Sequence, residues 1–279
     1  MKMGLRISTN IASQAVLKNL RQVSDKGDAS IARLSSGKRI TKSADDAAGL
    51  AIAKKLEAET KGLRKAIRNS NDAVALIQTT EGGLNEVSNM LVRLRELTIQ
   101  AGSDTVGENE RGYLDKEYQH LVEEIDRIAE TTTFNGMHLL NGEGNGEMDF
   151  QVGNSGSEMN RITFDSDQTN VTADTLGVGG TGVSEKSDAL DSISNIDEAI
   201  TQVAGHRGNL GAIQSRIQST ITNLETQAFN QDSARSVIED ADVAQEAANL
   251  ASANVIKQAG IMTLSQANNL PNQALRLIS

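Results

Sequence analysis

The chain has 279 residues, a net charge of −10 and a pI near 4.9, with no Trp, no Cys, one Pro and 2 % aromatic residues. A chain this acidic is not built for nucleic acid as its main partner. Its six Phe and Tyr, all between residues 113 and 229, are too few for a thick aromatic core, whereas Leu, Ile, Val and Ala suffice for narrow helical seams.

The charge is unevenly spread. Residues 1–42 carry nine Lys and Arg against two Asp and Glu, residues 238–279 carry two against four, and the middle holds −15. Oppositely signed ends attract each other, and an acidic middle reads as a solvated surface. Without cysteine, a chain outside the cell must be held by packing or by neighbours. Residues 1–20 contain no apolar run of the roughly 7–15 residues of a signal peptide, and no stretch reaches transmembrane length. The expectation is a cytoplasmic chain or one exported without a cleaved signal peptide, with no membrane span.

In chain order, Val16, Leu20, Val23, Gly27, Ile31 and Leu34 step by three and four, the apolar stripe of a first helix. Leu34-Ser-Ser-Gly-Lys-Arg39 interrupts it, and Ser43 with Asp46 three residues on predicts a capping box opening a second helix. Leu56, Leu63, Ile77, Leu84 and Leu91 then keep one seven-residue phase, with Ser70 in the gap and Ile67 and Val74 in a second row, predicting coiled-coil packing over 43–101. Residues 102–107 read as a turn. A third helix follows on Leu114, Tyr118, Leu121, Ile125 and Ile128, ended by Thr131-Thr-Thr-Phe-Asn-Gly136.

Residues 135–188 are rich in Gly, Asn, Asp, Ser and Thr and predict a small β-rich excursion, with strands near 148–152 and 161–164 and hairpin turns at Asn135-Gly136 and Asn141-Gly142. From Leu190 the heptad returns. Ile196, Val203, Leu210, Ile217, Leu224 and Ile238 share a phase with Gln231, and Ile193, Ile200 and Ile221 form the second row. Ala244, Ala247, Ala248, Ala251 and Ala253 mark a final Ala-rich helix over 240–267 that permits close approach. The fold class is mainly α: one elongated antiparallel helical bundle, or coiled coil, of N- and C-terminal helices with a small β-hairpin region.

Little here suggests catalysis, a cofactor or a metal. His120, His138 and His206 have no Cys or His at ligand spacing, and His120-Leu-Val-Glu123 is followed by Glu124 where a zinc motif needs His. Gly177-Val-Gly-Gly-Thr-Gly182 and Ser36-Gly-Lys-Arg39 lack the remainder of a phosphate loop. Asn141-Gly-Glu-Gly-Asn-Gly-Glu147 lacks the spaced carboxylates of a calcium loop. Asn170-Val-Thr172 is a glycosylation sequon, meaningful only in a suitable secretory pathway.

Four blocks together resemble bacterial flagellin: Gly4-Leu-Arg-Ile-Ser-Thr-Asn10; Leu34-Ser-Ser-Gly-Lys-Arg-Ile-Thr-Lys-Ser-Ala-Asp-Asp-Ala-Ala-Gly-Leu-Ala-Ile-Ala53; the run from Thr79-Thr-Glu-Gly82 through Val92-Arg-Leu-Arg-Glu-Leu97 and Glu123-Glu-Ile-Asp126 to Phe134-Asn-Gly136; and Ile238-Glu-Asp-Ala-Asp-Val243 with Gln258-Ala-Gly260 and Gln266-Ala-Asn268. The resemblance covers roughly 4–140 and 190–278. It implies a structural subunit of the flagellar filament, a motility propeller, with no enzymatic activity and no cofactor. The subunit would be exported through the flagellum's own secretion channel and added beneath a cap to a hollow, extracellular homopolymer. The family's export apparatus, flagellin chaperone, cap and junction proteins would be its other partners.

The resemblance also implies a discontinuous inner coiled-coil domain of residues 1–42 and 238–279 around the channel, and an outer bundle domain of residues 43–237. With only about 50 residues in the middle, the chain looks like a minimal flagellin. The alternative is a flagellin-like hook–filament junction protein; an enzyme-bearing flagellin lacks its insert here, and a signalling coiled coil lacks its membrane span. Two candidate sites follow. In the linker, Gly37, Lys38, Arg39, Lys42, Asp45 and Asp46 are candidates for contact between subunits, with Lys38 and Arg39 expected to be free to meet acidic groups of an adjacent copy. On the bundle, Leu91, Val92, Arg93 and Glu117 align with the surface through which an animal innate receptor detects many flagellins, with Val92 standing where a Gln is usual.

Overall fold

In a computed structural model, which describes residues 10–144 and 146–276, with side chains of 270–276 outside the description, the chain is mainly helical. The elements are α1 Ile11–Ser36, α2 Ala47–Ala101, α3 Glu108–Thr131, β1 Thr133–Phe134, β2 Met137–His138, β3 Glu147–Gln151, β4 Arg161–Asp165, α4 Lys186–Glu239 and α5 Val243–Arg276. They form two compact units, one of Met1–Ala58 with Asn230–Ser279 and one of Glu59–Phe229. Residues 4–9 of the first flagellin-like block lie outside the described residues.

The unit of Glu59–Phe229 is organised by the heptads. Leu63, Ile77, Leu84 and Leu91 of α2 are buried, as are Tyr118, Val122 and Ile125 of α3 and Ile196, Val203, Leu210 and Ile217 of α4. The first rows of α2 and α4 thus close in the phases that the seven-residue repeats predict, whereas the expected second-row residues Ile67, Val74, Ile193 and Ile200 and the α3 residues Leu114, Leu121 and Ile128 are only partly buried, with Ala66, Ala73, Val122, Ala129 and Ala199 buried beside the first rows. Polar members of the α2 stripe are satisfied within the helix. Ser70 Oγ donates to the Ala66 carbonyl at 2.8 Å, Thr80 Oγ1 to Leu76 at 3.0 Å and Thr98 Oγ1 to Leu94 at 2.7 Å, so burying them leaves no unpaired hydroxyl.

The β-rich excursion packs on this bundle. β1 and β2 pair antiparallel through Asn135 and Gly136, both left-handed at φ 51° and 79°, the conformation a two-residue type I′ hairpin turn demands. β3 and β4 pair antiparallel with Phe150 opposite Ile162 and Met148 opposite Phe164. Asn141-Gly142, predicted to close a hairpin, does not join paired strands; Gly142 turns the chain (φ 73°) between the two hairpins instead. Two glycines of α2 make room for the excursion. A Cβ on Gly62 would stand 1.9 Å from Asn154 Oδ1, and one on Gly83 would stand 2.6 Å from Leu140 Cδ1. The strap after β4 buries Val171, Val178 and Val183 and is pinned to α3. Asp126 Oδ1 accepts from Ala173 N at 2.7 Å, Asp115 Oδ1 from Val183 N at 2.8 Å, and Tyr118 shares a 2.6 Å hydroxyl contact with Thr181. Burial pushes the Tyr118 phenol up.

In the other unit, α1 and α5 run antiparallel side by side, with Asn10 Nδ2 donating to the Ala267 carbonyl at 2.8 Å at one end and Ser30 Oγ to Glu246 Oε2 at 2.8 Å towards the other. Three expectations change here. Ile31 is 51 % exposed, and its place on the buried stripe belongs to Ser30. The Ala-rich face of α5 is mostly open: Ala244, Ala247, Ala248 and Ala251 are exposed, and Leu250, Ala253, Gly260, Leu264 and Ala267 form its shielded side. The second helix begins at Ala47 and not at Ser43, because Asp46 supplies the cap, its Oδ1 accepting from Gly49 N at 2.8 Å. Similarly α4 begins at Lys186, ahead of the exposed Leu190.

Candidate assembly surface and linker

α1 ends at Gly37, which adopts the left-handed conformation at φ 69°, a common helix C-cap that glycine takes without a Cβ penalty. The linker then meets the connection between α4 and α5. Lys38 and Asp240 form an antiparallel β-bridge, Arg39 N donates to the Glu239 carbonyl at 2.7 Å, and Ala241 N donates to the Gly37 carbonyl at 2.9 Å. Side chains reinforce this. Lys38 Nζ reaches Glu239 Oε1 at 2.5 Å, and the Arg39 guanidinium donates twice to the Ile238 carbonyl, at 3.2 and 2.6 Å. Arg39 thereby serves a carbonyl that the end of α4 leaves without a helical partner.

Lys38 and Arg39 are therefore engaged by their own chain, contrary to the expectation that both stand free for a neighbour. The predictable part was their charge; their partners lie about 200 residues away, where periodicity carries no information. Asp45 Oδ2 accepts from Thr41 N, Thr41 Oγ1 and Lys42 N, at 3.0, 2.9 and 3.0 Å, and the Thr41 hydroxyl leads in holding this carboxyl below its ordinary value. Asp45 thus ties Thr41 and Lys42 into a turn, Asp46 caps α2, and Ile40 is buried.

The α1–α5 pair leaves large apolar side chains uncovered. Ile11, Leu17 and Ile31 of α1, and Val243, Val255, Ile256, Ile261 and Met262 of α5, are all exposed. On α5, Ala244, Ala248, Ala251, Val255 and Met262 follow four, three, four and seven, a stripe on a different face from the one that α1 covers. Apolar faces of this extent mark interaction surfaces.

On the bundle, Arg93 bridges α2 and α3. Its Nε and Nη2 donate to Glu117 Oε1 at 3.0 and 2.6 Å, and Nη1 donates to Glu96 Oε2 at 3.1 Å. Glu117 is the leading cause of the raised Arg93 pKa. Val92 is 48 % exposed, but Leu91 is 0 % exposed and belongs to the core, so it is not part of any surface. The histidines are apart: His120 Nδ1 lies 3.2 Å from Glu123, His138 Nδ1 lies 2.8 Å from the Glu130 carbonyl, and burial lowers the His206 pKa. Among the described residues no cluster of metal-ligating side chains occurs, and no helix is long and apolar enough to cross a membrane.

Sequence reasoning passed over the polar cluster of Ser30, Arg33 and Glu246, in which Arg33 Nη1 donates to Glu246 Oε1 at 3.0 Å. A signal was available, because Ser30 continues the seven-residue phase of Val16 and Val23.

The chain matches the bacterial flagellin N-terminal helical region over residues 7–145 and the bacterial flagellin C-terminal helical region over residues 193–278. It is 37 % identical to a flagellin of Halalkalibacterium halodurans over 272 residues, 98 % of this chain and 99 % of that one. It is 36 % identical to a flagellar filament core protein of Brachyspira hyodysenteriae, covering 89 % of this chain and 90 % of the relative. The crystal structure of Bacillus cereus flagellin superimposes with a TM-score of 0.50 at 30 % identity, covering 60 % of this chain and 94 % of that one. With both family regions in order around a bundle whose core follows the same heptads, the chain belongs to the bacterial flagellin family, structural subunits of the flagellar filament.

Proposed function

We propose that copies of this chain polymerise into a hollow, extracellular helical filament through the uncovered apolar faces of α1 and α5. The observation that carries this reading is the row of exposed Val243, Val255, Ile256, Ile261 and Met262 beside exposed Ile11, Leu17 and Ile31, apolar area that a copy of the same chain would remove from water at about 25 cal/mol per Å². In this arrangement residues 1–42 and 238–279 form the inner layer around the channel and residues 43–237 the outer layer. The contact is heterologous, one surface of a subunit receiving a different surface of the next, so growth stays open-ended. Subunits reach the tip through the flagellum's secretion channel with the help of its chaperone and are placed beneath a cap, with junction proteins at the base. The work of the chain is mechanical, with no catalytic step and no cofactor. The linker residues Gly37, Lys38, Arg39, Lys42, Asp45 and Asp46 set how the layers connect.

Helices held by a single thin seam are marginal without further partners, so α1 and α5 gain most of their order on assembly. Amide exchange should show near-zero protection before Ile40 and after Ile238 in the monomer, and strong protection in the polymer. Deleting residues 1–30 should leave a soluble, folded bundle that does not polymerise; a truncated chain that still builds normal filaments rules out this division of layers.

A further inference from the structure

The backbone bridge of Lys38 with Asp240 ties one end of the α1–α5 pair, but along the seam beyond it, where the first turn of α5 can unwind, the pairing has a register problem. The shielded stripe of α1 (Val16, Leu20, Val23, Gly27, Ser30, Leu34) and that of α5 (Glu246, Leu250, Ala253, Gly260, Leu264, Ala267) both repeat every seven residues. Sliding one helix by a heptad, about 10.5 Å at 1.5 Å per residue, keeps every apolar position on the shared face. Small, similar side chains distinguish such registers poorly, and in coiled coils a buried polar contact does so, at a cost in stability.

Resting on the reading of the chain as a filament subunit, we infer that Ser30, Arg33 and Glu246 form the register key of the terminal helix pair. Glu246 is only 8 % exposed, yet it faces α1. Its Oε2 accepts from Ser30 Oγ at 2.8 Å and its Oε1 from Arg33 Nη1 at 3.0 Å, while Asn249 Nδ2 stands 3.5 Å from Oε2. A carboxylate in this position is tolerable only with donors to hand. Sliding α5 one heptad towards the start of α1 would put Val23 where Ser30 stands and Lys26 where Arg33 stands, removing the buried hydroxyl and replacing the guanidinium with an ammonium. Sliding it the other way would carry Glu246 past Ser36, where α1 ends. A second fit works in the same direction. Gly260 leaves room for Leu20, whose Cδ1 would lie 2.9 Å from a Cβ there; after the first slide Leu20 would meet Ala253, which has no such notch.

The chain lacks cysteine, so disulfide reporters can be placed freely. A Cβ on Gly27 would lie 3.5 Å from Ala253 Cβ, within the span of about 3.5–4.5 Å that a disulfide accepts. Gly27→Cys with Ala253→Cys therefore reports the native register. Val23→Cys with Leu250→Cys reports the slide towards the start of α1. Intrachain cross-links are scored on denaturing gels after oxidising the polymer, in which the pair is ordered, and filament formation is scored separately by sedimentation. Absence of filaments in the parent chain would count against the proposed function, whereas the cross-link pattern reports on the register key.

With the key intact, only the native reporter should close. Arg33→Glu sets two carboxylates face to face, and the slide offers Glu246 the Lys26 cation instead, so the slipped reporter should rise at least about tenfold relative to the native one. Adding Glu246→Arg to Arg33→Glu restores the pair and would set Arg against Lys26 in the slipped form, so the native pattern should return. A silent slipped reporter in Arg33→Glu overturns the inference, as does a charge-swapped chain that fails to regain the native reporter, including one that no longer pairs its helices.

Discussion

Lys38 and Asp240 lie opposite each other as an antiparallel β-bridge, although 202 positions separate them in the chain. The bridge places the breaks in the N- and C-terminal helical segments side by side, and the contact of Lys38 with Glu239 adds a charge pair whose carboxylate is almost fully buried. Lys38→Ala should cost about 1–2 kcal/mol, less than a fully buried pair because the ammonium remains half exposed. Reversing both charges, with Lys38→Glu and Arg39→Glu, opposes Glu239 and strips the cap from Ile238. The expected result is filaments of altered supercoil or weaker lateral packing. Electron microscopy across a salt series checks this, and wild-type filament shape would leave the linker as a passive tether.

Leu84 is fully buried at the centre of the α2 stripe. Leu84→Ala should destabilise the bundle by about 2–5 kcal/mol, through lost transfer free energy and the cavity left behind. Denaturant unfolding of the monomer, followed by helical circular dichroism, measures this. Val92→Ala, at an exposed site, should stay within about 0.5 kcal/mol of the parent.

Gly83 gives way to Leu140 and Thr132, whose Oγ1 would stand 2.9 Å from an added Cβ. Gly83→Ala gains helix propensity of about 1 kcal/mol but overpacks this contact at about 1–3 kcal/mol. The net effect should be destabilising, with reduced amide protection in β1 and β2. Gly82→Ala, where nothing lies within 4 Å of the added atom, should be neutral or stabilising.

The Glu246 carboxyl is held below its ordinary value of 4.5 chiefly by the Ser30 hydroxyl, with Arg33 and Asn249 adding to the effect. Arg33 faces it directly, and Lys26 lies along the same cavity of about 440 Å³. Because the folded pKa is depressed, the stabilisation is fully present above the unfolded value and is lost as pH falls through the folded one. The α1–α5 pair should therefore loosen below about pH 4.5, the ordinary value. Sedimentation of filaments between pH 7 and pH 3 would follow the loss. Glu246→Gln, which cannot ionise, should flatten that part of the profile.

Much of the bundle was legible because burial repeats locally. Leu63, Ile77, Leu84 and Leu91, and Ile196 to Leu224 at seven-residue steps, announce their shared face without knowledge of any partner. The Asn135-Gly136 turn was legible for a similar reason, since its backbone angles are a property of the two residues themselves. Asn141-Gly142 shows the limit: the same dipeptide closes no hairpin when the flanking segments pair elsewhere. Ser43 with Asp46 fits a capping box in sequence, and only the folded backbone decides which oxygen meets a free amide. The roles of Glu246 and Glu239 were not legible, because their partners come from the opposite end of the chain.

The cluster of Leu63, Ala66, Leu224 and Ala228 closes the central unit where the chain enters and leaves it. Before that unit folds, joining Ser30 to Glu246 means closing a loop of 216 residues. Once it has folded, only the short segments on either side of the closed cluster remain to be restrained, which lowers the closure entropy by roughly 1–2 kcal/mol. This connectivity favours an order of folding in which the middle forms first and the two ends meet last. A chain emerging unfolded at the tip of a growing polymer would keep its adhesive helices unpaired until its own body had set.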